Sequence, residues 1–404
     1  MPRVVSTRVG LHFGSLQLVL GLAWVEYVIY LPRLATQAGI KPGVVGWLLV
    51  FDQLIFAVCD GAAGAATDRV ARVIGRVGRI VAALTAISTL AFLLLPLVSH
   101  CSALLFVALI VVWAITSSAL RAPPLTLLGR YAPAGRQPWL SSLFVAGGGL
   151  ATASTPLLTE SIAAYDPRIL FAASAIAVLA VTLSIVWAEK TLAYSAPPER
   201  ERTEFSARLL IVFLAAMLLA QTGFQLHNSV ISPLLFAKFA GPGQHLSLLL
   251  VFWIGFALCT PPASQLVAHV GGARVTLAAA VLAAGAAGAA ALATNVVLLA
   301  IAQFICGAAW GCVMVGAVVA ALAIGRRGRA GTAAGGLFSM FAVATMARIA
   351  LVTAHGDRVP AVASALPWLP AVSWVAAALL LLPVLSAERA AQTYRRAHSS
   401  ASSR

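Results

Sequence analysis

Twelve apolar runs, each near the roughly 20 residues that a helix needs to cross a bilayer, leave this chain few folds to choose from. They fall at about 11–35, 43–67, 77–98, 102–128, 139–163, 168–188, 208–232, 245–268, 272–294, 296–322, 331–354 and 366–386. In hydrocarbon every backbone N–H and C=O must be paired internally, so runs of this length are helices. So few charges cannot build a water-soluble surface: 61% of residues are hydrophobic and 10% are charged, where a soluble domain carries about 25% charged residues. The expected fold is therefore an all-α integral membrane protein of twelve transmembrane helices, with the lipid bilayer as its solvent.

Most connections between runs are a few residues long. The longest internal one, "EKTLAYSAPPERERTEFSAR", follows the sixth run, and its Pro, Glu and Arg content fits a solvated linker. It divides the chain into a bundle over 1–188, a linker over 189–207, a second bundle over 208–386 and a tail over 387–404. If both termini share one side, that side holds 20 of the 27 Lys and Arg residues, the opposite side holds five, and Arg121 and Arg348 fall inside helices. Basic residues gather on the cytoplasmic side, so both termini and the linker are expected there, in a bacterial-type inner membrane.

The net charge of +15 is spread in short Arg clusters between apolar runs, the pattern of membrane-protein loops, so no nucleic-acid partner is expected. The five cysteines show no paired spacing and sit mostly in apolar runs; they read as small packing residues, and no metal or other cofactor is expected. No small-residue cleavage site follows the first run, which reads as a retained helix. No nucleotide-binding motif is present, so ATP drive within the chain is not expected.

A weak internal repeat supports two related halves. "GAATDRVAR" at Gly64 answers "SQLVAHVGGAR" at Ser264, and "EYVIYLP" from Glu26 answers "HNSVISP" from His227, each pair at the same place in its half. Between the second and third runs, Gly61, Gly64 and the alanines around them strip side-chain bulk from a helix end, which permits close helix approach. Asp68 can accept hydrogen bonds from Arg69 and Arg72, or from a helix N-terminus whose dipole favours an anion. The Arg cluster also suits an anionic inner leaflet.

Gly64-x-x-x-Asp68-Arg69-x-x-Arg72 resembles the loop 2–3 signature of the major facilitator superfamily, and twelve helices in a 6+6 arrangement resemble that family over nearly the whole chain. Ala71 and Val73 depart from the signature, and Ala268 and His269 replace its charge pair in the second half. The resemblance implies two pseudo-symmetric six-helix bundles, alternating access, and a charge latch at the cytoplasmic face built from Gly64, Asp68, Arg69 and Arg72. The alternative is loop charge that sets topology without gating. Asp60 either extends this latch or pairs with Arg121 at comparable depth.

Charge at bilayer depth is costly and usually faces a water-filled cavity. Glu26 and Asp52 fall at about the same depth on helices 1 and 2, with Arg348 of helix 11 and His227 of helix 7 further outward. Two neighbouring carboxylates are candidates for proton coupling; the alternative is a static ion pair of Glu26 or Asp52 with Arg348. His227, Gln221, Gln225 and Asn228 on helix 7 are candidates for the cavity wall, or for bonds between helices. Trp24, Tyr27, Tyr30, Trp113, Trp253 and Trp310 are candidates for an aromatic wall, while Trp368 and Trp374 read as membrane-interface anchors.

The function these features imply is a secondary transporter that moves a small solute, coupled to protons and acting as a monomer. The acidic pair favours efflux of a cationic or neutral, partly apolar compound. Arg348 and Arg121 keep open uptake of an organic anion, and a non-transporting sensor or assembly protein on the same fold remains a further reading. An enzyme is not expected, because no catalytic constellation appears and the loops are too short for a soluble catalytic domain.

Overall fold

The computed structural model describes residues 7–71, 75–183, 185–194, 206–239, 244–325 and 328–402, and every regular element among them is helical. Twelve segments follow in order: α1 (Thr7–Gln37), α2 (Pro42–Val70), α3 (Arg76–Val98), α4 (Ala103–Tyr131), α5 (Gln137–Ala153 and Thr155–Ile162), α6 (Pro167–Leu183 and Ile185–Ala193), α7 (Ala207–Ala237), α8 (Gln244–Val270), α9 (Gly272–Ala291), α10 (Val296–Ile324), α11 (Ala330–Thr353) and α12 (Leu369–Ser402). Eleven are long and apolar enough to cross a membrane, and the twelfth, α5, is broken in two at Ser154. Arg72 and residues 195–205 of the expected linker lie outside the described residues. Segment α6 runs on to Ala193, and α12 continues as one helix through the expected tail to Ser402.

Four prolines mark breaks or a π-turn, while Pro32, Pro96, Pro261, Pro262 and Pro383 sit inside unbroken helices. Pro156 has no N–H for the carbonyl of Thr152, and α5 breaks at Ser154, just before it. Pro123 and Pro124 interrupt α4 in the same way: a 3-10 turn spans Ser118–Leu120, and Arg121 sits at the joint. Pro124 cannot donate to Leu120, and the freed Leu120 carbonyl instead accepts Gln17 Nε2 of α1 at 3.1 Å. In α7 a π-turn over His227–Ile231 precedes Pro233, and Ser232 Oγ donates to the His227 carbonyl at 2.7 Å.

The two halves repeat one packing scheme. In the first half α1 packs on α5 and α6, and α3 on α4 and α6; in the second, α7 packs on α11 and α12, and α9 on α10 and α12. The halves meet through α2 against α11 and α5 against α8. Large apolar side chains such as Val58, Ile176, Leu258 and Leu379 point outward and are more than half exposed, as a lipid-facing surface requires. Trp374, read from sequence as an interface anchor, is fully buried instead. Its Nε1 donates to the Ala220 carbonyl at 2.9 Å, which locks α12 to α7.

Each half also closes one helix start with a glutamate from its last helix. Glu189 of α6, fully buried, accepts the Gly78 N–H in the first turn of α3 at 2.7 Å. Glu388 of α12 bonds the backbone of Gly272, Ala273 and Arg274 in the first turn of α9. A helix N-terminus leaves orphan N–H groups that favour an anion. Glu189→Ala is therefore expected to lower stability by about 1–2 kcal/mol, the scale of a lost N-terminal cap. A lower apparent melting temperature of the purified protein would show it; an unchanged one would remove the capping role.

Candidate functional site

A cavity of about 670 Å3 lies between the halves. Its wall on α1 is the stripe Gln17, Leu20, Gly21, Trp24, Val25 and Val28, spaced as one face of a helix. On α2 it is Gly46, Leu49, Gln53 and Phe56; on α7 it is Gln221, Phe224, Gln225, Asn228 and Ser229. Trp113 and Arg121 of α4, Trp253 and Phe256 of α8, Trp310 of α10, and Thr345 and Arg348 of α11 complete the parts that carry chemistry. Among the described residues no carboxylate lines the cavity. The size is that of an ordinary small-ligand site.

Its two arginines differ. Arg121 is held: its Nη1 lies 3.2 Å from Asp60 Oδ2, the one ion pair among the described residues, and its guanidinium sits 4.0 Å over the Phe56 ring. Arg348 is not held. No carboxylate pairs with it among the described residues, and its buried Nε has no hydrogen-bond partner. One turn away, Gln225 Nε2 donates to Thr345 Oγ1 at 2.7 Å, so Gln225, Thr345, Asn228 and Arg348 form one polar patch on the second half.

Among the described residues no two of Glu26, Asp52, Arg348 and His227 pair with one another. Glu26 is buried inside the first half, where Ser174 of α6 donates to its Oε2 at 2.5 Å. Asp52 is buried beside α1 and accepts the Tyr27 hydroxyl at 2.5 Å. Neither pairs with Arg348. Tyr27 lies behind the wall, its ring 4.6 Å from that of Trp113. Tyr30 donates to the carbonyl of Ile162 beyond the break in α5. These residues share the α1 stripe Ala23, Glu26, Tyr27 and Tyr30, which faces away from the cavity stripe. His227 is likewise turned inward: its Nε2 lies 3.0 Å from Gln303 Oε1, and Gln303 Nε2 donates to Ser232 Oγ at 2.8 Å. The hydroxyl and amide partners Ser174 and Gln303, and the glutamates at 189 and 388, were not singled out from sequence. The signal for the glutamates was their matched place just past the last apolar run of each half.

At one pole of the α2/α11 contact, Asp68 reaches across the halves. Its Oδ1 accepts the Gly331 N–H at 2.7 Å, and its Oδ2 accepts the Thr332 N–H and hydroxyl, both at 2.7 Å. The N-cap residue of α11, Arg329, supplies no side-chain cap, so a carboxylate from the other half does. The approach depends on missing side chains. A Cβ on Gly64 would meet the Gly331 carbonyl oxygen, and a Cβ on Gly335 would meet that of Asp60. The contact runs on through Gly61 and Ser339 to Gly46 and Thr353 at the opposite pole. Arg69 is exposed and makes no ion pair with Asp68 among the described residues. The second half has no counterpart to Asp68: Ala268 is exposed, and His269 turns back to the Gln265 carbonyl.

The sequence pattern of the Major Facilitator Superfamily matches residues 13–347. The chain belongs to that superfamily. Solved structures agree on the fold. The chain superposes on the human organic anion transporter MFSD10 (TETRAN) with a TM-score of 0.70 at 14% identity, covering 92% of this chain and 98% of that one. On the E. coli fucose:proton symporter FucP the TM-score is 0.65 at 13% identity, covering 94% and 98%. On the proton:xylose symporter XylE it is 0.66 at 14% identity, covering 94% of each. No curated protein sequence matches the chain. Members of this superfamily are transporters, not enzymes. The activity that membership supports is secondary transport of a small solute across the bilayer.

Proposed function

We propose that this superfamily member carries a small organic anion through its central cavity, with Arg348 as the anion receptor. The observation that carries this reading is the unpaired Arg348 on a wall without a carboxylate among the described residues. A buried cation without a counter-charge is costly, and a ligand carboxylate or sulfonate relieves that cost through charge-assisted hydrogen bonds. The cationic cargo expected from Glu26 and Asp52 required those carboxylates on the wall, and both have partners behind it. One structural neighbour, named as an organic anion transporter, supports the same choice.

Proton drive is part of the proposal. Glu26 and Asp52 each have one oxygen on a hydroxyl and one buried oxygen without a partner. Either can take up and release a proton without meeting the substrate, so coupling would run through helix packing in the first half. Two neighbours named as proton symporters support this drive. The Asp68 pole is assigned to the cytoplasm on the Lys and Arg count. A continuous cavity between the halves favours transport over a sensor role.

The test is counterflow of a labelled organic anion in proteoliposomes. Arg348→Gln is expected to reduce uptake at least 30-fold, because it removes both the charge and the guanidinium fork. Arg348→Lys is expected to keep part of it, since charge remains but two-pronged binding is lost. Full anion flux in Arg348→Gln would end the proposal. A proton-gradient-driven component missing in Glu26→Gln or Asp52→Asn, with exchange kept, would place coupling at that residue; its persistence in both would remove them from the drive.

A further inference from the structure

The cavity wall repeats one aromatic arrangement across the pseudo-two-fold. In the first half, Trp24 of α1 stacks on Trp113 of α4, with centroids 5.9 Å apart and planes 10° from parallel, and Phe56 of α2 meets Trp24 edge-on at 5.4 Å. In the second, Phe224 of α7 stacks on Trp310 of α10 at 4.6 Å and 4°, and Trp253 of α8 meets Phe224 edge-on at 6.1 Å. Helices 1, 2 and 4 of one half thus do what helices 7, 8 and 10 do in the other. All six rings line the cavity. Leu or Val would suffice to bury an aliphatic cargo. Rings add something an aliphatic wall does not: offset-stacked and edge-to-face contacts with another ring.

An aromatic wall by itself also suits an organic cation, through the negative faces of the rings. Here the Phe56 face is already occupied by Arg121, and the free charge on the wall is Arg348, of the wrong sign for a cation. Arg121 is committed to Asp60, which leaves one available cation for one anionic group. Nor does the wall suit a sugar as well. Polar side chains line both halves, Gln17 and Gln53 on one and Gln221, Asn228 and Arg348 on the other, but a neutral sugar would leave the Arg348 charge unpaired.

We infer that the cargo is a planar aromatic monoanion, an aryl carboxylate or sulfonate. Its charged group docks on Arg348 beside Asn228, and its ring system lies between the Trp24/Trp113 and Phe224/Trp310 pairs. This rests on the anion reading above and deepens it. Both walls contribute rings, so the cargo is held by both halves at once. A ligand held by both halves can report its presence to the contact that must rearrange during alternating access.

Three matched probes separate this inference from the reading beneath it: 2-naphthoate, its fully saturated analogue decahydro-2-naphthoate, and 2-naphthylmethylammonium. Each is measured for binding to the full-length protein in detergent and for counterflow in proteoliposomes. The naphthoate is expected to bind roughly three- to tenfold more tightly than the saturated acid, the scale of one aromatic pair beyond area burial. Trp113→Leu and Trp310→Leu should bring that ratio towards one, and an unchanged size-exclusion profile and melting curve show that the variants are folded. Trp310→Phe should restore most of the preference. Arg348→Gln should lose both acids. Equal handling of the two acids would overturn the aromatic inference and leave the anion reading standing. Preference for the ammonium probe would overturn both, and so would failure to bind either acid.

Discussion

Asp68→Ala is expected to open the pole where α2 meets α11 and to reduce net transport at least tenfold. The carboxylate receives three hydrogen bonds at 2.7 Å, two of them from the first backbone N–H groups of α11. Loss of an N-terminal cap costs about 0.5–2 kcal/mol, and a hydrogen bond to a charged group is worth roughly 1.5–3 kcal/mol. Because the cap comes from the other half, this energy stabilises one arrangement of the halves rather than α11 alone. A shift of about 2–3 kcal/mol moves a two-state equilibrium roughly 30- to 150-fold. Asp68→Asn keeps one acceptor oxygen and should fall between wild type and alanine. The measurement is maleimide labelling of Ala330→Cys in a background lacking the native cysteines. Ala330 is 3% exposed in this arrangement, so labelling should accelerate in the alanine variant. Unchanged labelling with intact flux would reduce Asp68 to a static cap. Arg69→Gln is expected to leave labelling as in wild type, because Arg69 is exposed and does not meet Asp68.

The same pole shows which parts of the site a sequence can disclose. Segment count and the halving of the chain follow from run length and from the absence of water in hydrocarbon, and neither needs knowledge of packing. Asp68 stood out because a carboxylate after a glycine-rich helix end needs donors. Which donors it takes depends on where a helix start more than 260 positions later comes to rest, and no local pattern encodes that. Rotation about the helix axis is the other missing quantity. Trp24 and Val25 face the cavity, while Glu26 and Tyr27, the next two residues, face the bundle interior. A 100° step per residue separates a binding wall from a buried core, and an apolar helix surrounded by lipid and protein has little polarity contrast to fix its phase. Position along each run gives Glu26, Asp52, His227 and Arg348 an expected depth, but not the partner that each takes. Proline alone does not locate the breaks: Pro123, Pro124, Pro156 and Pro233 each forfeit a backbone bond at a bend or a π-turn, whereas Pro32, Pro96, Pro261, Pro262 and Pro383 sit inside unbroken helices.

Two adjacent glycines on α5 should respond in opposite ways to the same substitution, and the contrast tests the cavity itself. A Cβ on Gly147 would meet the backbone carbonyl of Gly14, so α1 and α5 touch backbone to backbone there. Overpacking a core costs about 1–3 kcal/mol even where side chains can shift. Against a main-chain oxygen the helices themselves must part, so Gly147→Leu is expected to abolish folded protein or lower its apparent melting temperature by several degrees. Gly148 lines the cavity, and a Cβ there meets nothing within 4 Å. Gly148→Leu should leave the fold intact, with a stability change within about 1 kcal/mol, since a helical glycine replaced without a clash is neutral or better. Its side chain would project into the space that the cargo needs, so binding and counterflow of the anion should fall at least tenfold. Size-exclusion profiles and melting curves of the two variants, set beside their flux, separate the cases. Wild-type flux in a folded Gly148→Leu would mean that the solute does not pass this wall of the cavity. A folded, fully active Gly147→Leu would mean that α1 and α5 are not held at the spacing the Gly14 contact implies.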